Sequence, residues 1–288
     1  MKGLARLQAL GAALFFSTGG AGIKALPLTN WQVASLRSLV AAVAILILLP
    51  ETRRNWTRGT TLVALAYSAM LVLFVTANKL TTSANTIFLQ ATGPLYLLFL
   101  GPLILKERTR RSDYLFLAVM AAGMALFFVG DQAPQRTAPQ PLLGNILAAI
   151  SGFAWAATMV GLRWFARQGT GSMNTVALGN ILTFGICLAP ALSTPLAVST
   201  SSWLILGYLG IFQLGVGYLL LSKGVRHLPA LEASMLVLLE PALNPIWTWL
   251  VHGEHVSALA IAGGLCVLGS TAGMMIAART QQPAGGVA

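Results

Sequence analysis

The chain has 288 residues, 56% of them hydrophobic and only 9% charged, with a mean hydropathy of +0.77 and a net charge of +11. A soluble domain carries about 25% charged residues. This composition therefore excludes a globular protein with an ionic surface, and it directs the basic excess to orienting a membrane chain rather than to binding nucleic acid. The only two cysteines, Cys187 and Cys266, sit inside apolar runs, which excludes a disulfide-stapled scaffold.

A helix that crosses a bilayer needs about 20 mostly apolar residues. Ten such runs follow one another, roughly 4–26, 31–50, 60–78, 84–105, 112–130, 142–162, 175–194, 202–222, 229–251 and 256–278. Lys2 and Arg6 precede the first run as in a signal peptide, but the run is long, rich in glycine and has a counterpart later in the chain, so it reads as a span. The second run carries Arg37, six residues after Trp31 and so about 9 Å below the outer boundary. Its expected role is structural: an intramembrane charge that snorkels to the interface or joins the two halves through a carboxylate or a helix C-terminus.

The third run offers Tyr67, Phe74 and Asn78 and leads to Lys79, either an interfacial lysine or a cation that attracts a substrate carboxylate. The fourth offers Thr86, Gln90, Gly93 and Pro94. The fifth and tenth have almost no polar side chain at mid-depth and read as scaffold, with Gly269-xxx-Gly273 as a close-packing pattern in the tenth. The sixth presents Ser151, Trp155 and Thr158 or Met159, and the eighth Tyr208, Gly215, Tyr218 and Ser222. Glu240 lies in the middle of the ninth, with Asn244 and Trp247 at i+4 and i+7 on the same face. Such a face offers a carboxylate to an amino group, an amide to a carboxylate and an indole to a ring; Glu240 alone is also a candidate coupling site for protons. A structural Glu, protonated or paired with another helix, is the alternative.

Orientation follows from the basic residues. With the N-terminus in the cytoplasm, 14 of the 18 Lys and Arg fall inside and three (Lys24, Lys79, Arg136) outside. An internal repeat is also legible. Pro94 to Glu107 and Pro241 to Glu254 are both 13 residues apart, Lys79 and Lys223 open the approaches to these segments, and "GAALFFSTGGAGIKAL" lies on "LAAISGFAWAATMVGL" with Phe16 opposite Trp155. Five spans per half is an odd number, so the second copy enters the membrane upside down, and a shared site is expected near the midplane between the halves. The expected architecture is an all-α membrane protein: ten transmembrane helices in two inverted five-helix repeats around a central cavity. Residues 1–130 form the first repeat, 131–141 an outer linker, 142–279 the second repeat and 280–288 a disordered cytoplasmic tail.

On these motifs the chain resembles the drug/metabolite transporter superfamily, in its EamA-like branch, and is most similar to the YddG-type exporters of aromatic amino acids in bacterial inner membranes. The first-half segment "LKER" lacks the glycine that "HGEH" keeps in the second half. The resemblance implies ten helices, both termini in the cytoplasm, and a cavity lined mainly by spans 1, 3, 4, 6, 8 and 9. The expected substrate-binding residues are Asn78, Lys79, Gln90, Trp155, Met159, Tyr218, Glu240, Asn244 and Trp247.

No phosphate-binding Gly-rich Lys-Ser/Thr loop, Ser-His-Asp set or metal-spaced His/Cys/Asp cluster is present in the sequence, so neither an enzyme nor a cofactor or metal site is expected. The expected function is export of aromatic or other neutral amino acids, or related metabolites, by alternating access. The alternatives are a multidrug or other metabolite carrier of the same superfamily and an intramembrane enzyme. The expected partners are the solute and the lipid bilayer, without nucleic acid, and a monomer suffices.

Overall fold

The structure is a computed structural model that describes residues 2–100, 103–104, 111–129, 133–167, 173–225, 236–237 and 239–280. Glu107, the start of the ninth predicted span and residues 281–288 of the expected tail lie outside the described residues. Among the described residues the regular structure is helical, apart from one isolated bridge between Gln135 and Ala138 in the linker.

The first half contains α1 (Lys2–Ser17), α2 (Gly19–Ala25), α3 (Asn30–Leu48), α4 (Arg58–Leu80), α5 (Ser83–Gln90), α6 (Gly93–Leu100) and α7 (Arg111–Val129). The second contains α8 (Pro141–Arg167), α9 (Met173–Leu192), α10 (Thr200–Gly207), a π-helical stretch (Tyr208–Val216), α11 (Gly217–Val225), α12 (Leu239–His252) and α13 (Ala258–Thr280). Helices lie within all ten predicted runs. Among the described residues five of them are long and apolar enough to cross a bilayer: Asn30–Leu48, Arg58–Leu80, Pro141–Leu162, Met173–Leu192 and Thr200–Gly224. Tyr114–Val129 and Ala258–Gly273 are shorter apolar helices.

Threonines set several starts. Thr29 and Thr57 each cap their helix reciprocally with the residue three positions on, Gln32 and Thr60. Thr82 accepts the amide of Asn85 at the start of α5. Large apolar side chains, including Ile47, Leu62, Leu115, Leu204, Leu250 and Leu265, point outward along the helices. Such a surface suits lipid rather than water.

Among the described residues two predicted spans are interrupted. The first breaks at Thr18, whose hydroxyl turns back to the Phe15 carbonyl. The fourth breaks at Ala91–Thr92, two residues before Pro94, which has no amide hydrogen to continue the ladder. Broken backbone at membrane depth must be satisfied by protein or by a cavity, and the released carbonyl of Ser17 accepts a hydrogen bond from Asn244 Nδ2 at 3.0 Å.

The packing is symmetric under exchange of the halves. α4 lies on α8 as α11 lies on α1; α4 meets α9 as the π-helical stretch meets α3; α5 and α6 lie on α8 as α12 lies on α1 and α2. Three further contacts, α3 with α9, α7 with α13 and α5 with α12, each join an element to its own counterpart. The α7–α13 contact is made where glycine permits it. A Cβ on Gly123 would meet the Gly263 carbonyl oxygen at 2.9 Å, and one on Gly263 would meet the Gly123 oxygen at 2.7 Å. Of the close-packing pattern expected at Gly269 and Gly273, Gly273 packs tightly against Phe116 of α7, whereas Gly269 faces open space.

Candidate functional site

A cavity lies between the halves. Its walls come from α1 (Phe16), α3 (Arg37), α4 (Met70 and Phe74), α5 (Gln90), α8 (Trp155), the π-helical stretch (Gln213), α11 (Tyr218) and α12 (Glu240). It encloses about 40 Å³, room for about three waters. Phe16 and Trp155, which the repeat places opposite each other, both line it. Tyr218 packs its ring against Phe16, with centroids 5.0 Å apart, and against Tyr67 at 5.2 Å. The Gln90 amide is oriented by donating to Ser151 Oγ at 2.7 Å, and the Tyr67 hydroxyl accepts from Asn180 Nδ2 at 3.2 Å. Aromatic faces beside a few directed polar groups suit an amphipathic solute.

A second polar cluster lies toward the C-terminal end of α12. Lys24 Nζ sits 3.1 Å from Glu254 Oε1, and also donates to the carbonyls of Thr81 at 2.8 Å and Thr137 at 2.5 Å. Glu254 Oε2 accepts the Ser83 amide at 3.0 Å, at the start of α5. The turn that brings Glu254 back over the bundle is made at Gly253, whose φ is +63°, a conformation that favours glycine. The Ser83 hydroxyl lies 2.9 Å from Asn78 Oδ1 and 2.8 Å from Asn244 Oδ1, and its single proton can serve either. Trp247 Nε1 donates to Ser17 Oγ at 2.9 Å, and Lys79 Nζ donates to the Leu26 carbonyl at 2.6 Å. This cluster ties α2, α4, α5 and α12 together across the two halves.

The expected site residues thus divide. Gln90, Trp155, Tyr218 and Glu240 line the cavity. Asn78, Lys79, Asn244 and Trp247 are held in the second cluster, and Met159 is half-buried on α8 away from both. Arg37, expected to bridge the halves, lines the cavity without a hydrogen-bond partner among the described residues. Phe16 and Gln213 were not anticipated as wall residues, although Gln213 is the only amide side chain in the run "YLGIFQLGVGY". Lys24 and Glu254 figured in the sequence only as topology and repeat markers. Their available signal was opposite charge at one predicted depth, on different halves, in a chain with few charges. Among the described residues no group of His, Cys, Asp or Glu is placed to hold a metal ion.

A profile of the EamA-like transporter family matches residues 3–129 and again residues 142–276. This chain belongs to the EamA-like transporter family. The two matches correspond to the two halves that pack symmetrically here. An uncharacterized transporter from Clostridium kluyveri is 23% identical over 199 residues, 68% of this chain and 63% of the relative, so the chain spans somewhat less than two thirds of that relative's length. The uncharacterized transporter YyaM of Bacillus subtilis is 22% identical over 242 residues, 80% of this chain and 79% of the relative. A crystal structure superposes with a TM-score of 0.65 at 18% identity, covering 96% of this chain and 99% of the other, a likeness of fold. The EamA-like chain is a multi-pass membrane protein.

Proposed function

We propose that this chain is a secondary carrier that exports aromatic or other neutral amino acids, or closely related metabolites, across a bacterial inner membrane. It works by alternating access between two inverted five-span repeats, with both termini in the cytoplasm. The observation that carries the reading is the composition of the inter-half cavity: Phe16, Trp155 and Tyr218 supply aromatic faces, while Glu240 and Gln90 supply a carboxylate and an amide. Glu240 serves as the partner of the solute's ammonium group and as the coupling candidate. The repeat arrangement is supported by the basic-residue count, the odd number of predicted spans per half and the exchange symmetry of the packing.

The cavity is smaller than an aromatic amino acid, so the halves must part to admit one. The test is a panel of labelled Trp, Phe and Thr with purified protein in liposomes, run with and without a pH gradient. Saturable movement of at least one of them supports the reading. Absence of flux for every amino acid under both conditions overturns it. Movement of a different metabolite class alone makes the chain another carrier of the same family.

A further inference from the structure

Arg37 sits on α3 with 0% of its surface exposed, and it lines the cavity. Its Nε, Nη1 and Nη2 atoms have no hydrogen-bond partner among the described residues. Tyr67, Tyr218 and Cys187 neighbour it without supplying a carboxylate, and Glu240, which lines the same cavity, makes no ion pair with it. A guanidinium carries five N–H donors and does not discard its proton readily. Leaving it buried and unpaired is costly, and Gln213 repeats the pattern. Gln213 is only 6% exposed, its Oε1 has no hydrogen-bond partner among the described residues, and it faces the same cavity. Its amide nitrogen is turned toward Gly19, where a Cβ would lie 2.9 Å away, which leaves the carbonyl oxygen as its free end. The cavity therefore holds an unsatisfied donor fork and an unsatisfied acceptor, beside aromatic rings and Glu240.

We propose that Arg37 is the binding site for the carboxylate of the transported solute, with Gln213 Oε1 accepting a hydrogen bond from the solute's ammonium group. The inference deepens the carrier reading above and rests on it for the word "transported". Two parallel N–H···O bonds from a guanidinium match a carboxylate in plane and spacing, which a lysine cannot reproduce. The solute then brings the counter-charge that no described residue pairs with Arg37. Loading becomes favourable only for molecules that carry an acid group next to the aromatic or apolar body.

The experiment compares L-phenylalanine with L-phenylalaninamide, which keeps the ring and the amino group but has no carboxylate. Wild-type protein in liposomes is expected to show a KM about 10- to 100-fold lower for the acid, the worth of a lost charge-assisted bond. Arg37→Gln raises the KM of the acid by that factor and leaves the amide unchanged, and Arg37→Lys falls between. Equal changes for both solutes, or none, overturn the proposal. Melting curves of the wild-type protein keep the test decisive if the variants do not fold. Phenylacetate is expected to raise the melting temperature, and phenylacetamide, which keeps the ring but has no carboxylate, is not. The reverse order, or equal stabilisation by chloride or sulfate, overturns the carboxylate assignment. If phenylacetate stabilises the protein but no amino acid moves, the amino-acid reading falls and the Arg37 site stands. If phenylacetate fails to stabilise it while amino acids move, Arg37 falls and the carrier reading stands.

Discussion

Glu240 and Glu254 are carboxylates on one helix and its exit turn, 14 residues apart in sequence, yet their surroundings differ. Glu254 is matched by Lys24 and the Ser83 amide, whereas Glu240 faces the cavity with no ion pair among the described residues. A paired carboxylate belongs to the scaffold, and one left open to a cavity is available to a solute or a proton. Glu240→Gln keeps the shape and removes the charge, so flux of phenylalanine is expected to fall at least about tenfold, the worth of one charge-assisted contact. Wild-type rates in liposomes, with and without a pH gradient, would take Glu240 out of the mechanism. Asn244 sits one turn away and does different work: its amide bridges Ser83 Oγ and the carbonyl released at Ser17. Asn244→Leu strands the Ser17 carbonyl and leaves the Ser83 hydroxyl to Asn78 alone, and is expected to lower stability by about 1–3 kcal/mol, read as an earlier melting transition.

At the scale of the element, α7 and α13 meet through two glycines, each of which would drive a Cβ into the other's backbone oxygen. Backbone cannot yield as a flexible side chain can. Gly263→Leu is therefore expected to destabilise the protein by about 1–3 kcal/mol while leaving the KM of any folded fraction unchanged, because neither helix supplies a cavity wall residue. A raised KM would place this pair in the transport path. Gly263 also shows where sequence reading reaches its limit. The run of apolar residues places α13, but Gly263, Gly264, Gly269 and Gly273 are equivalent in sequence, and only the rotation of the helix decides which of them meets α7. The same limit divided the site. Hydropathy placed the helices because burial in lipid acts on whole segments, and i, i+4 spacing put Glu240, Asn244 and Trp247 on one face. Both Asn244 and Trp247 then meet the broken end of α1, and spacing alone cannot separate a face turned to a cavity from one turned to a neighbouring helix. The π-helical stretch that carries Gln213 had no counterpart in the pattern either, since an extra residue per turn leaves an all-apolar run looking the same.

Across the whole molecule, the two halves are tied at the Lys24–Glu254 end and leave only a small cavity beneath it. A carrier that admits solute from both sides must separate α2 from α12 at that end, and the ion pair lies across that separation. Removing one member leaves a buried charge without its partner, so Lys24→Met and Glu254→Gln are each expected to destabilise this closed form by about 3–5 kcal/mol, and the double variant by less than the sum. Melting temperatures of the four proteins measure that coupling; strict additivity would mean the pair contributes nothing jointly. Opening itself is tested by fixing the end shut. With Cys187 and Cys266, both free thiols, first replaced by alanine, cysteines are placed at positions 24 and 254 and joined by a cleavable short bis-maleimide. Flux is expected to stop on joining and to return when the linker is cleaved. Undiminished flux through the joined protein would show that solute passes without this end parting, and alternating access between the halves could not then be how the chain works.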